Sequence, residues 1–96
     1  MRKYEMMLVL KPELDDEAVS GVIQRFTDTV RELGGNAQEP EKWGKRKLAY
    51  EIAHYSEGFY VVLQFEAEPN VPHELDRMAR ISEDILRHLL VSKEEE

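Results

Sequence analysis

Hydrophobic positions along this chain alternate with period two in some stretches and with helical period in others, and the order of those stretches predicts a fold. In Arg2 to Leu10, Tyr4, Met6, Leu8 and Leu10 share one face of a strand, with Lys3, Glu5, Met7 and Val9 on the other. The second face is also partly apolar, so the strand is expected to be central in a sheet. Lys11-Pro12-Glu13 breaks it. Asp15 and Asp16 then suit a helix start, and Val19, Ile23, Phe26, Val30 and Leu33 follow at spacings of four, three, four and three before Gly34-Gly35 stops the helix.

A second extended segment runs from Asn36 through Lys42, is interrupted near Pro40 and Gly44, and continues from Leu48 to Ile52, with Leu48, Tyr50 and Ile52 on one face. Pro40 lacks an N–H, which predicts an edge strand or a bulge. Ala53 to Glu57 reads as a polar hairpin loop. Gly58 to Glu68 is a third strand, central, with Phe59, Val61, Leu63 and Phe65 on one face and Tyr60, Val62, Gln64 and Glu66 on the other. Pro69 to Pro72 begins a second helix, with Asn70 as its cap and Leu75, Met78 and Ala79 as its buried stripe. Asp84 to Lys93 is a fourth strand with Leu89 and Val91 inward and His88 and Leu90 outward, followed by the acidic tail Glu94-Glu95-Glu96, expected to be disordered.

Strand, helix, strand, strand, helix, strand is the split βαβ order of an α+β, ferredoxin-like domain over residues 1–93. It predicts a four-stranded antiparallel sheet, first and third strands central, with both helices on one face. The other face would carry Met7, Val9, Tyr60 and Val62, an apolar surface of the kind that marks a partner site.

Composition narrows the function. The chain has 96 residues, 42% of them hydrophobic, and no cysteine, which removes disulfides, thiol nucleophiles and cysteine zinc sites. Nothing approaches a membrane span, and the N-terminus lacks a signal-peptide apolar region, so the expected compartment is the cytoplasm. Net charge is -7, which argues against nucleic acid in bulk, yet four of the thirteen Lys and Arg, namely Lys42, Lys45, Arg46 and Lys47, fall within six positions. A local basic patch can act although the total is negative.

Catalytic chemistry finds no arrangement. His54, His73 and His88 are scattered without metal-ligand spacing, Gly34-Gly35 is a helix stop, and the Asp15 and Asp16 pair suits a cap, so no catalytic residue, metal or cofactor is assigned. Nucleic-acid binding has agreeing signals: Arg2 and Lys3, the Lys45 to Lys47 cluster, and Arg87, His88 and Lys93 would all lie around the rim of the sheet. Each alone is more often a solvated edge that discourages strand pairing. Tyr60 could stack a base. Trp43, the only tryptophan, is either a lid over the helix and strand ends or an interface anchor.

Four blocks, Met-Arg-Lys-Tyr-Glu-Met-Met-Leu-Val-Leu-Lys-Pro at the start, Gly-Lys-Arg-Lys-Leu-Ala-Tyr-Glu-Ile from Gly44, Glu-Gly-Phe-Tyr-Val-Val-Leu-Gln-Phe from Glu57 and Ile-Leu-Arg-His-Leu-Leu-Val from Ile85, resemble the family of bacterial protein six of the small ribosomal subunit. The resemblance covers Arg2 to Lys93 and is most specific between Gly44 and Ile52. It implies a structural constituent of the ribosome that binds the central domain of small-subunit ribosomal RNA together with ribosomal protein eighteen. Joined to the residue reading, it places RNA phosphates at Arg2, Lys3, Arg87, His88 and Lys93, with His88 standing where the family often has Arg. The protein partner is expected at Met7, Val9, Tyr60 and Val62, with Lys45, Arg46 and Lys47 setting register. The alternative is a ferredoxin-like ligand-sensing or dimerisation domain.

Overall fold

The structure, a computed structural model, describes residues 1–93; the tail at Glu94 to Glu96 lies outside the described residues. Its elements are β1 (Arg2–Leu10), α1 (Asp16–Glu32), β2 (Asn36–Ala37), β3 (Glu41–Ile52), β4 (Tyr55–Ala67), α2 (Asn70–Ile81) and β5 (Ile85–Ser92). All pairings are antiparallel, and the order across the sheet is β2-β4-β1-β5, with β3 also on β4. The sheet therefore has five strands where four were expected. β2 and β3 are one edge strand cut in two: β2 pairs with Phe65 and Glu66, β3 pairs farther along β4 from Val62 to Tyr55, and the stretch holding Pro40 separates them. A residue without an N–H breaks the ladder there, as proline does at sheet edges.

The helices form as their end signals dictate. Asp15 caps α1, its carboxylate accepting from the Ala18 N–H at 2.8 Å. At the other end the Gly34 N–H donates to the Arg31 carbonyl and the Gly35 N–H to the Val30 carbonyl, with Gly34 at φ +90. That pair of bonds is a Schellman stop, and it needs a residue tolerant of positive φ. Val22 joins Val19, Ile23, Phe26 and Val30 in the buried stripe, whereas Leu33 is the exposed C-cap residue. In α2 the cap position is Pro69 and Asn70 is already helical, without a side-chain cap bond. Pro72 lies in the first turn, where the missing N–H has no intrahelical acceptor to lose.

Tyr4, Met6, Leu8 and Leu10 of β1 and Val61, Leu63, Phe65 and Ala67 of β4 meet Phe26, Val30, Val71 and Leu75 in the core between sheet and helices. Tyr4 and Phe65, direct cross-strand partners, stack with centroids 5.5 Å apart. The last strand corrects the sequence reading. Leu90 packs on the core and His88 faces the helix layer, while Leu89 and Val91 are exposed on the helix-free face. Apolar residues at 85, 86, 89, 90 and 91 carry no clean alternation, and a strand so composed can present either face until its packing partners decide.

The hairpin between β3 and β4 also differs from expectation. Only Ala53 and His54 form the turn, and β4 begins at Tyr55 rather than Gly58. Both turn residues have positive φ, 52 and 70, the conformation that two-residue hairpins fill best with Asn-Gly. A side-chain-bearing residue there costs roughly 1–2 kcal/mol. The double replacement Ala53→Asn with His54→Gly is expected to stabilise the protein by about 1–2 kcal/mol and raise Tm by several degrees. A thermal melt in which Tm stays level or falls contradicts this account of the turn.

Candidate nucleic-acid and partner interface

With both helices on one face of the sheet, the other face is open, and cross-strand register determines what it shows. Met7 lies opposite Val62 and Leu89, and Val9 opposite Tyr60 and Arg87. Met7, Val9, Tyr60 and Val62 thus share this face as expected, but they do not share its exposure. Val9 and Val62 are 3% and 2% exposed, whereas Leu89 and Val91, expected to point inward, are 52% and 45% exposed. Val9 is covered because it fills the space above Gly58, where a Cβ would come within 2.4 Å of it and Leu48 closes the other side. A shallow hollow of about 170 Å³ remains between Met7, Val9, Tyr60, Arg87 and Leu89. The apolar area available to a partner is therefore centred on β5 and its neighbour β1.

The expected phosphate contacts do not form one cluster. The Lys93 N–H donates to the Lys3 carbonyl, which brings Lys3 and Lys93 together beside the start of β1, and the Lys93 ammonium lies 3.3 Å from Glu5. Arg2 belongs to the same end. Arg87 shares the open face with Lys93 but lies six residues away along the same chain, about 20 Å at strand rise. Its guanidinium donates to the Tyr50 hydroxyl at 3.3 Å, so the β3 side chain reaches across the open face to the far edge strand.

His88 points to the opposite side, onto α2. Its Nε2 lies 2.7 Å from Asp76 Oδ1, and since a carboxylate only accepts, the imidazole donates. Arg80 binds the other oxygen of Asp76. Hydrogen bonds from His88 and Arg80 hold the Asp76 carboxyl below its usual range. His88 fastens α2 to β5 and is not presented to a ligand on the open face.

β3 carries the basic cluster. Lys42 and Val61 are partners, then Gly44 and Tyr60, so Trp43 is the extra residue of a bulge, and Gly44 at φ +86 makes it possible. Beyond the bulge Arg46 lies opposite Gly58 on the open side, while Lys45 and Lys47 lie opposite Phe59 and Glu57. The Arg46 guanidinium sits 5.2 Å from the centroid of the Trp43 ring, and the indole N–H donates to Glu41. At 42% exposure Trp43 is a surface residue. Among the described residues no group of His, Asp and Glu is placed to hold a metal ion.

Comparison with known proteins decides the family. A family profile described as Ribosomal protein S6 matches residues 3–92. The chain belongs to that family. It is 45% identical over 95 residues to the small ribosomal subunit protein bS6 of Desulforamulus reducens, covering 99% of this chain and all of the relative. It is 41% identical over 96 residues to the bS6 of Moorella thermoacetica, covering all of this chain and 98% of the relative. Among solved structures, the crystal structure of 30S ribosomal protein S6 from Thermotoga maritima superposes with a TM-score of 0.89 at 29% identity, covering 96% of this chain and 87% of that one. The ferredoxin-like architecture and the family assignment thus agree with the resemblance seen in the sequence blocks.

The residues that sequence reasoning missed are Asp76, Tyr50 and Leu89. Asp76 had a signal available, since it lies four residues before Arg80 on a helix that must cover β5. The pairing with His88 yields a pH prediction. Because the folded Asp76 pKa is depressed, its contribution is present above about pH 4 and is lost as pH falls through the folded value. Asp76→Asn is expected to lower stability at pH 7, with the gap to the parent protein narrowing toward pH 3 in denaturant titrations. A gap independent of pH removes the ionised carboxylate from this role.

Proposed function

We propose that this chain is a structural component of the small ribosomal subunit that binds the central domain of its RNA together with ribosomal protein eighteen, in the cytoplasm. The observation that carries the reading is the family match across nearly the whole chain, on a fold whose helix-free sheet face carries Lys3, Arg87 and Lys93. RNA phosphates meet Arg2, Lys3 and Lys93 at one end of the β1 and β5 pair and Arg87 at the other, where Lys and Arg supply the charge that displaces counterions. Lys3 and Lys93 share the open face with Arg87, about 20 Å away along β5, while Arg2 adds its charge from the strand end on the other face. His88 contributes through α2, by keeping β5 in place.

The protein partner takes the apolar part of the open face. Leu89, Val91, Met7 and Tyr60 offer side-chain area there, and Val9 and Val62 lie beneath them as support. Covering Leu89 and Val91 removes exposed apolar surface from water at about 25 cal/mol per Å². The role is architectural rather than catalytic.

A protein of net charge -7 with its cations in separate groups is expected to bind RNA weakly alone and tightly only as a pair. Filter binding of the purified protein to a central-domain rRNA fragment, with and without ribosomal protein eighteen over a salt series, tests this. Equal affinity with and without the partner refutes the dependence, and no binding in either case from a folded protein favours the ligand-sensing alternative. Arg87→Gln is expected to reduce the slope of log affinity against log salt by about one unit. An unchanged slope removes Arg87 from the phosphate contacts.

A further inference from the structure

Arg87 differs from its neighbours in the kind of partner that holds it. Arg77 and Arg80 are paired with Glu74 and Asp76 on α2, and Lys93 with Glu5. Among the described residues Arg87 has no carboxylate partner, and its guanidinium donates instead to the Tyr50 hydroxyl at 3.3 Å. A carboxylate would fix the guanidinium and offset its charge at the same time. A hydroxyl is an uncharged acceptor, so it fixes the group and leaves the charge for a ligand. The contact also spans the sheet. Tyr50 stands on β3 and Arg87 on β5, with β4 and β1 between them, three strand spacings or about 14 Å. Two long side chains are needed to close that distance. The surface between them is low, because Gly58 has no side chain and Val9, opposite both Tyr60 and Arg87, is 3% exposed.

We propose that Tyr50 is a positioning residue for Arg87, holding its guanidinium over the open face with the charge left free for an RNA phosphate. The proposal deepens the proposed function and rests on its reading that Arg87 meets phosphate. Tyr50 acts through Arg87 and needs no contact with RNA of its own. Arginine carries five N–H donors, so one bond to a phenol leaves the rest of the fork available to a phosphate. An arginine without a partner samples many rotamers and loses that freedom when it binds. Ordering it beforehand reduces the loss. The charge of Arg87 is the same with or without the hydroxyl, so the number of counterions released on binding does not change. The two residues therefore have separable effects: Tyr50 sets affinity at every salt concentration, and Arg87 also sets the salt slope.

A double-mutant cycle on the full chain, paired with ribosomal protein eighteen and binding the central-domain rRNA fragment, separates these effects. Tyr50→Phe keeps the ring and removes the hydroxyl. In the parent background it is expected to weaken binding about threefold, with the slope of log affinity against log salt unchanged. In the Arg87→Gln background the same change is expected to have no effect. In the free protein, NMR relaxation at the Arg87 Nε is expected to show a restrained side chain that becomes mobile in Tyr50→Phe. Thermal melts verify that each variant is folded, and loss of one exposed hydroxyl is expected to leave Tm level. Equal mobility of Arg87 in the parent and in Tyr50→Phe overturns the positioning role without reference to RNA. Equal weakening by Tyr50→Phe in both backgrounds makes Tyr50 a contact in its own right and overturns it as well. If Arg87→Gln weakens binding and Tyr50→Phe does not, only the positioning role falls. If Arg87→Gln changes neither affinity nor slope, the phosphate contact at Arg87 fails and the positioning role falls with it.

Discussion

The placement of β1 between two strands and beneath the helix layer is the constraint on which the structure depends. The strand is hydrogen-bonded to β4 along one edge and β5 along the other, so no backbone group of its central residues is left for solvent. Met6, Leu8 and Leu10 are fully buried against the helices, and Val9 is nearly as buried on the face that has no helix. A strand so placed tolerates neither a slip of register nor a charge in its second half, and that rigidity aligns everything the surface presents. Arg87 stands opposite Val9 and Leu89 opposite Met7 because β1 sets the register of β5. Lys3 and Lys93 at one end and Arg87 at the other are held apart for the same reason.

The edges are treated in two different ways. β3 carries lysine, arginine and a bulge, features that keep an edge strand from pairing with another chain. β5 has an apolar run with few charges, and its protection comes from elsewhere: the His88 and Asp76 bond ties α2 against its inner side, and Leu90 is packed into the core. What remains exposed on β5 is Leu89 and Val91, on the open face. Together they make the exposed apolar part of this edge, a surface of the kind that marks interaction sites.

How much of this was legible in the sequence follows from how clean each period is. β1 and β4 alternate without ambiguity, α1 has a carboxylate cap and a glycine stop, and the order of elements left one topology, so the architecture and the central strands could be read directly. β5 could not be oriented, because five apolar residues in seven positions fit either face, and only contacts with α2 and β1 choose. The β4 start was hidden by Tyr55, Ser56 and Glu57, whose polarity suggests a loop although they pair with β3 in part. For the site, residue identity was visible but grouping was not. Lys3 and Lys93 join through strand pairing, Arg87 goes to the other end, and His88 turns to the helix; each depends on register that a single sequence does not specify. Trp43 stood out as the lone tryptophan, but its union with Arg46 needed the bulge geometry.

The negative total charge and the proposed work on RNA are compatible because part of the acidic charge sits on α1, a layer away from the open face, although Glu5 and Glu66 share that face with the cations. Asp15, Asp16, Glu17 and Glu32 belong to α1, on the covered side, while Lys3, Arg46, Arg87 and Lys93 look out from the open side. The Debye length is about 8 Å at physiological ionic strength, and exposed charges farther apart than that are largely screened from one another. At that salt the acidic layer is mostly screened from a phosphate on the far side, whereas a lysine in contact with the phosphate is not. At lower salt the screening length grows beyond the thickness of the protein, and the repulsion from α1 then adds to every contact. Ionic strength therefore sets how far the charge of α1 is felt at the open face.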